Sequence, residues 1–242
     1  MSKKRITLLL LISTTIAVVL SVVVVFSNNQ RRSSLRKPTA NNVKEFERAS
    51  KLYEKGKTDG VDANELRIGG DELRLLEDLE EVSYLRLSRT TICNEDMAII
   101  ARLSGLKALD LTATRITDDG IAHLKDHPTL EAIWLGQVPI SGEALNTLKT
   151  IPNLNNISLW QDDVTTSDCR ILAEMNGLRE IGLDDTMLTD AAVPLLACID
   201  NLEHVRIGGT RITRQGRYEL RRLRPGLRLD DCFAEETAKP TP

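Results

Sequence analysis

Apolar residues return in columns every 24 positions between Val82 and Pro225. One column reads Leu85, Leu109, Ile133, Ile157, Ile181 and Val205, and another, two residues later, reads Leu87, Leu111, Leu135, Leu159, Leu183 and Ile207. A spacing of two puts both columns on one face of a strand, pointing into a core. A third apolar column holds Ile92, Ile116, Ile140, Val164, Leu188 and Ile212, and the next residue is Cys93, Thr117, Ser141, Thr165, Thr189 or Thr213. Ser and Thr there suit a helix N-cap, because the hydroxyl accepts a bond from a free N–H of the first turn. Apolar residues then follow at helical spacing, as in Ile121, Leu124 and His127, or Leu145, Leu148 and Ile151. Each unit therefore predicts strand, turn, short helix and return. One such unit cannot bury its own apolar face, so six in register predict a solenoid stacked on itself.

The spelling of the unit is as regular as its period. Leu106, Leu130, Leu154, Leu178 and Leu202 each open an L-x-x-L-x-L-like run, and Leu106 to Asp118 is its cleanest copy. This closely resembles the leucine-rich-repeat family, whose signature continues to Asn or Cys at the ninth place. Here the ninth place reads Thr90, Thr114, Val138, Asp162, Thr186 and Thr210. Thr114 to Gly120, spelled T-x-I-T-D-x-G, is similar to the 24-residue Thr-type repeats common in bacterial proteins. The resemblance implies an α/β fold of the ribonuclease-inhibitor-like horseshoe kind: a right-handed solenoid with a parallel concave sheet and short convex helices. Asn at the ninth place can serve backbone groups as donor and acceptor; Thr offers one hydroxyl and Val138 nothing, which predicts a less tightly laced third unit.

Outside the repeats the pattern changes. Residues 1–5 are a basic N-terminus. Residues 6–26 carry no charge and, as a helix, rise ~30 Å, long enough to cross a hydrocarbon core. That run exceeds the usual apolar stretch of a cleaved signal peptide, which favours a retained single-pass signal anchor. Basic residues flank it almost equally, and its short N-terminus suggests a solenoid on the non-cytoplasmic, periplasmic or equivalent, side. Residues 27–41 read as a polar linker. Residues 42–81 read as an N-terminal capping helix and a shortened first repeat, with Leu66 and Ile68 as its strand. Six repeats fill 82–225, and 226–242 read as an incomplete repeat and tail, in which a local shift in register puts Cys232 at the ninth place and Asp230 and Asp231 in the columns of Asp184 and Asp185. Charge follows the same division: residues 1–60 hold 12 Lys+Arg and 4 Asp+Glu, net +8, and 61–242 hold 20 and 31, net −11. The acidic solenoid argues against nucleic acid as a ligand.

No catalytic motif stands out, so the sequence reads as a binding protein without an enzyme's machinery, cofactor or metal. The four cysteines have no C-x-x-C spacing. His123 and His127 are four apart, but no Glu follows the first as in zinc proteases, and His127 falls in the core column of Ile151 and Ile199. The resemblance implies a concave face built from positions 2, 3, 5, 7 and 8 of each unit. Both tryptophans, Trp134 and Trp160, fall there, as diagonal neighbours, and Tyr84 joins them. Trp and Tyr bury large area at low entropy cost, so they predict a partner-binding surface. Asp184 and Asp185 add negative charge, with Asp162, Asp163, Asp230 and Asp231 beside them, while Gly208 and Gly209 leave a notch. Arg86, Arg89 and Arg206 put positive charge toward both ends. The candidate site is thus Tyr84, Arg86, Trp134, Trp160, Asp184, Asp185 and Arg206. A protein partner is the leading reading; a glycan or cell-envelope polymer on the Trp134/Trp160 surface, or a structural spacer, is the alternative.

Overall fold

The computed structural model describes residues 60–68, 70–74 and 82–231. They form one eight-stranded parallel sheet in sequence order. The strands are β1 Gly60–Asp62, β2 Tyr84–Arg86, β3 Ala108–Asp110, β4 Ala132–Trp134, β5 Asn156–Ser158, β6 Glu180–Gly182, β7 His204–Arg206 and β8 Arg228–Asp230. Every pairing joins a residue to the one 24 positions on, from Val61↔Leu85 to Val205↔Leu229. Return segments carry helices α1 Gly70–Leu73, α2 Met97–Ile100, α3 Asp118–Ala122, α4 Gly142–Leu148, α5 Thr166–Ala173, α6 Val193–Ala197 and α7 Arg214–Leu223. The sheet is open and the helices alternate with its strands, which is a leucine-rich-repeat α/β solenoid. A single core runs its length: from Leu85 to Val205 the first strand column is at most 2% exposed.

The repeat's polar positions fasten each turn internally and, at fewer places, tie it to the next unit. Thr90, Thr114, Thr186 and Thr210 each donate a hydroxyl to the carbonyl three residues back, at 2.7–2.8 Å. Val138 cannot. Its N–H, bonded to Leu135 O at 3.1 Å, is shared with Asp162 Oδ1 of the next unit, also at 3.1 Å, so the gap expected at the third unit is bridged from its neighbour. Helix starts are capped across units as well. Asp118 accepts from the Ser141 N–H and hydroxyl, and Asp190 does the same for Thr213. Gly142 has no side chain at the equivalent place, and there Thr165 is served by Asp168 of its own helix. The glycine of the T-x-I-T-D-x-G spelling makes room for this device: a Cβ on Gly120 would lie 2.6 Å from Asn94 Oδ1, and one on Gly216 2.2 Å from Asp190 Oδ1.

Two register expectations are corrected. The strand of the first unit is Gly60–Asp62, not Leu66 and Ile68. Val61 and Ala63 fill the strand columns, and Leu66 and Ile68 continue the columns of Thr90 and Ile92. The last strand keeps its register without a shift, so Asp230 pairs with Arg206 and not with the column of Asp184. Asp231 follows it into the core position of Ile207, only 8% exposed, where Arg221 Nη2 donates to its Oδ2 at 2.9 Å. The apolar segment 6–26, the linker, the capping helix and Cys232 lie outside the described residues. Among those described, no helix is long and apolar enough to cross a membrane.

Candidate functional site

The sheet face turned away from the core carries one row of side chains per strand, each row 24 residues from the next. Parallel strands lie ~4.8 Å apart, so large side chains on adjacent rows must share space. Glycine resolves the crowding. Trp160 lies over Gly136, where a Cβ would stand 2.0 Å from the indole nitrogen. Arg206 lies over Gly182, with a Cβ there 2.4 Å from its Nη2. At Gly60 the need is closer in: a Cβ there would meet the Tyr84 Cβ at 2.4 Å and its carbonyl oxygen at 2.5 Å. Each of these glycines precedes its large partner by one repeat. That is a signal the sequence contains and the columns alone did not reveal.

The aromatic part is split differently from expectation. Trp134 meets Tyr84, two strands away, edge to face with ring centroids 6.2 Å apart. Small Ala108 on β3, paired opposite Tyr84, leaves the space for this. Trp134 pairs with Ser158, two residues before Trp160, so the tryptophans are diagonal in register, but among the described residues the ring contact is Tyr84–Trp134. Arg86 sits 4.9 Å from the centre of the Tyr84 ring and donates Nε–H to its hydroxyl at 2.6 Å. Its other arm reaches Asp62 at 3.4 Å. Burial works against the Arg86 charge, but Tyr84 and Asp62 outweigh it and raise its pKa. All three rings remain half-buried, with free surface for a ligand.

The acidic part is largely engaged within the chain. Asp184 Oδ2 accepts from Arg206 Nε at 3.0 Å, and its Oδ1 accepts the Gly208 N–H at 3.0 Å. Arg206 also donates to Ser158 Oγ at 3.1 Å, spanning three strands. Asp185 leans over Gly209, its Oδ1 2.0 Å from where a Cβ would be, and accepts from Gln161 at 3.3 Å. The expected Gly208–Gly209 notch is therefore filled by these two aspartates. Asp162 is not on this face at all: it is 8% exposed in the ninth-position column. Burial pushes its pKa up to about 7, against partial relief from the Val138 and Gln137 backbone.

Residues that sequence reasoning did not single out complete the surface. Gln137 and Gln161 bond side chain to side chain, and Asn156 donates to Glu180 at 2.6 Å. Gln137, Gln161 and Asp185 share a left-handed backbone with Glu65, Arg89, Ala113 and Gly209, all at position 8. That conformation recurs once per unit along the edge of the face, with polar side chains in five of the seven units and Ala113 and Gly209 in the other two. Asp110, paired between Arg86 and Trp134, accepts the Thr112 N–H at 2.9 Å. His127 is buried with both ring nitrogens lacking a hydrogen-bond partner, and His123 is exposed, so the two do not converge. No cluster of three or more metal-ligating side chains occurs among the described residues.

No protein-family model matches the chain, and no curated protein matches it. Solved structures do. Internalin C2 from Listeria monocytogenes is 22% identical, over 64% of this chain and 73% of that one, with a TM-score of 0.48. A second Listeria monocytogenes internalin, inlF, is 15% identical over 72% of this chain and 59% of that one, with a TM-score of 0.41. The assignment of the fold rests on the sheet and its register described above.

Proposed function

We propose that the chain is a membrane-anchored recognition module that binds a partner protein on the outer face of its sheet, without catalysis. The observation that carries the reading is the half-buried aromatic surface formed by Tyr84 against Trp134, with Trp160 lying over Gly136. These rings are preordered by their neighbours, so little side-chain entropy remains to be lost on binding. Asp184 and Arg206 neutralise each other, and their role is to hold the face in shape beside the rings. Residues 6–26 supply the anchor, with the solenoid on the non-cytoplasmic side; protease treatment of intact and opened cells tests that orientation.

A photo-crosslinking residue at position 160, followed by mass spectrometry of adducts, identifies the partner. Trp134→Ala and Trp160→Ala are each expected to weaken its binding by ~2 kcal/mol or more, roughly 30-fold. Thermal stability should change little, because neither ring is in the core. Unchanged affinity in the double variant defeats the assignment. The uncharged Gln137–Gln161 pair beside Trp160 favours a glycan as second reading, since amides and rings suit sugar hydroxyls and faces. Adducts with no protein, together with retention on cell-envelope polymer, would select it.

A further inference from the structure

The last strand, β8, ends the described sheet with an open edge. Arg228 donates its N–H to Glu203 O at 2.9 Å, and Asp230 O accepts from Ile207 N at 2.9 Å. In a parallel ladder alternate residues turn both backbone groups to the same neighbour. Leu229, between these two, therefore turns its N–H and C=O outward. An edge of this kind is a template for another strand.

The side chains at this edge have a particular order. Leu229 is the last of a column that is fully buried in Leu85, Leu109 and Val205, yet it is itself only partly buried. Leu227 stands where the earlier units carry Lys107, Glu131, Asn155, Arg179 and Glu203, and it packs against the core, partly exposed. Leu223, at the end of α7, is 41% exposed. The strand itself reads Arg228–Leu229–Asp230, one cation and one anion placed symmetrically about the residue whose backbone faces outward; within the chain Asp230 also meets His204 at 2.8 Å and Arg228 at 3.5 Å, and it remains partly exposed.

We propose that β8 pairs antiparallel with β8 of a second copy of this chain, about a two-fold axis through Leu229. An antiparallel strand centred there lets the two Leu229 residues exchange both backbone bonds, the close pair of an antiparallel ladder. Arg228 of each copy then opposes Asp230 of the other, twice over. A parallel partner, or any other register, loses one or both of these matches. Such an isologous contact closes on itself and yields a dimer, not a fibre. Three of the four α7 arginines are engaged within their own chain: Arg221 is paired with Asp231, Arg222 with Glu219, and Arg217 is buried on the Ile212 and Asp231 carbonyls. The dimer is independent of the aromatic face, so either can fail alone.

The test uses the full chain in mild detergent. Sedimentation velocity is expected to show one copy at low and two at higher micromolar concentration. Arg228→Asp and Asp230→Arg each set like charges opposite one another and should remain single copies. Mixed in equal amounts, these two variants should recover a two-copy species containing one of each. Thermal melts within a few degrees of wild type establish that both variants are folded. Leu229→Cys, with Cys93, Cys198 and Cys232 changed to Ser, should form an intermolecular disulfide on mild oxidation, because Cα atoms of such a pair lie ~5.5 Å apart. A wild-type chain that stays single at all concentrations overturns the proposal, as it would if residues 232–242 covered the edge. So does a dimer that survives Arg228→Asp, which would place the contact elsewhere, or a variant mixture that never associates.

Discussion

His127 and Asp162 are buried titratable residues in columns otherwise made of aliphatic or hydroxyl side chains, and they respond to pH in opposite senses. His127 lies between Leu103 and Ile151, and burial lowers its pKa below the ordinary 6.5, a weak approach to the Leu103 backbone notwithstanding. As pH falls below about 6.5 the unfolded chain takes up a proton that the folded chain refuses, so acid destabilises the fold. Asp162 behaves inversely. Its pKa is raised to about 7, so the stability present below its ordinary 3.8 is lost as pH rises through about 7. Between these limits the two effects offset each other, and wild type should show a shallow pH dependence that single variants unmask. His127→Leu is expected to stabilise at pH 5 by about 1–3 kcal/mol and by less at pH 8. Asp162→Asn should stabilise at pH 8, because an amide keeps the Val138 bond without a buried charge. Each kcal/mol moves the midpoint by roughly 2–4 °C, which melts at the two pH values can resolve. An equal gain from His127→Leu at both would rule out protonation as the cause. The role of His127 was legible because its column is apolar. That of Asp162 was masked by its nearness in sequence to Trp160, although its ninth position already placed it inside.

At the scale of the element, the strand row and the turn after it determine what the surface presents. Gly136→Ala tests this directly. The added methyl would stand 2.0 Å from Trp160 Nε1 and 2.5 Å from Cε2, so the ring must move. Because the ring is half-exposed and free to swing outward, the cost should fall below the ~1–3 kcal/mol of overpacking a core. Displacement should also shift the Trp160 emission and weaken partner binding, while Gly226→Ala, which meets nothing within 4 Å, should do neither. Binding and emission both unchanged in Gly136→Ala would mean that Trp160 does not depend on that floor. The interior units were readable because each repeats a full L-x-x-L-x-L spelling. The first was misread because its strand is spelled with Val61 and Ala63, smaller than the leucines elsewhere, while Leu66 and Ile68 imitate a strand pair two positions apart. The last was misread because Asp231 occupies a core position that every earlier unit gives to an aliphatic residue. The Tyr84–Trp134 contact was hidden for another reason: it spans two strands and depends on the small Ala108 between them, a relation no single column displays.

For the whole molecule, stability is a sum of unit and neighbour terms, so the ends decide where unfolding begins. The last described units are tied together by arginine. Residues 206–228 contain eight arginines and one acid, in a solenoid that is acidic elsewhere. Arg224 donates to the carbonyls of Ala197, Ile199, Asp200 and Leu202 and ties the last return to the one before it. Arg217, 4% exposed, donates to Ile212 O and Asp231 O, both at 3.1 Å, and so joins α7 to the end of β8. A leucine at 217 would retain bulk but leave these buried carbonyls without their donor, at a cost of about 1–3 kcal/mol. That loss should be local. Hydrogen exchange is expected to quicken in β8 and α7 of Arg217→Leu while β4 and β5, which carry Trp134 and precede Trp160, keep their protection. Partner binding at the aromatic face should persist, whereas pairing through β8 should fall, because a fraying strand cannot hold its two-fold register. Uniform loss of protection along all eight strands would instead mean that the solenoid unfolds as one unit, and that the arginine closure supports the central face as well as its own end.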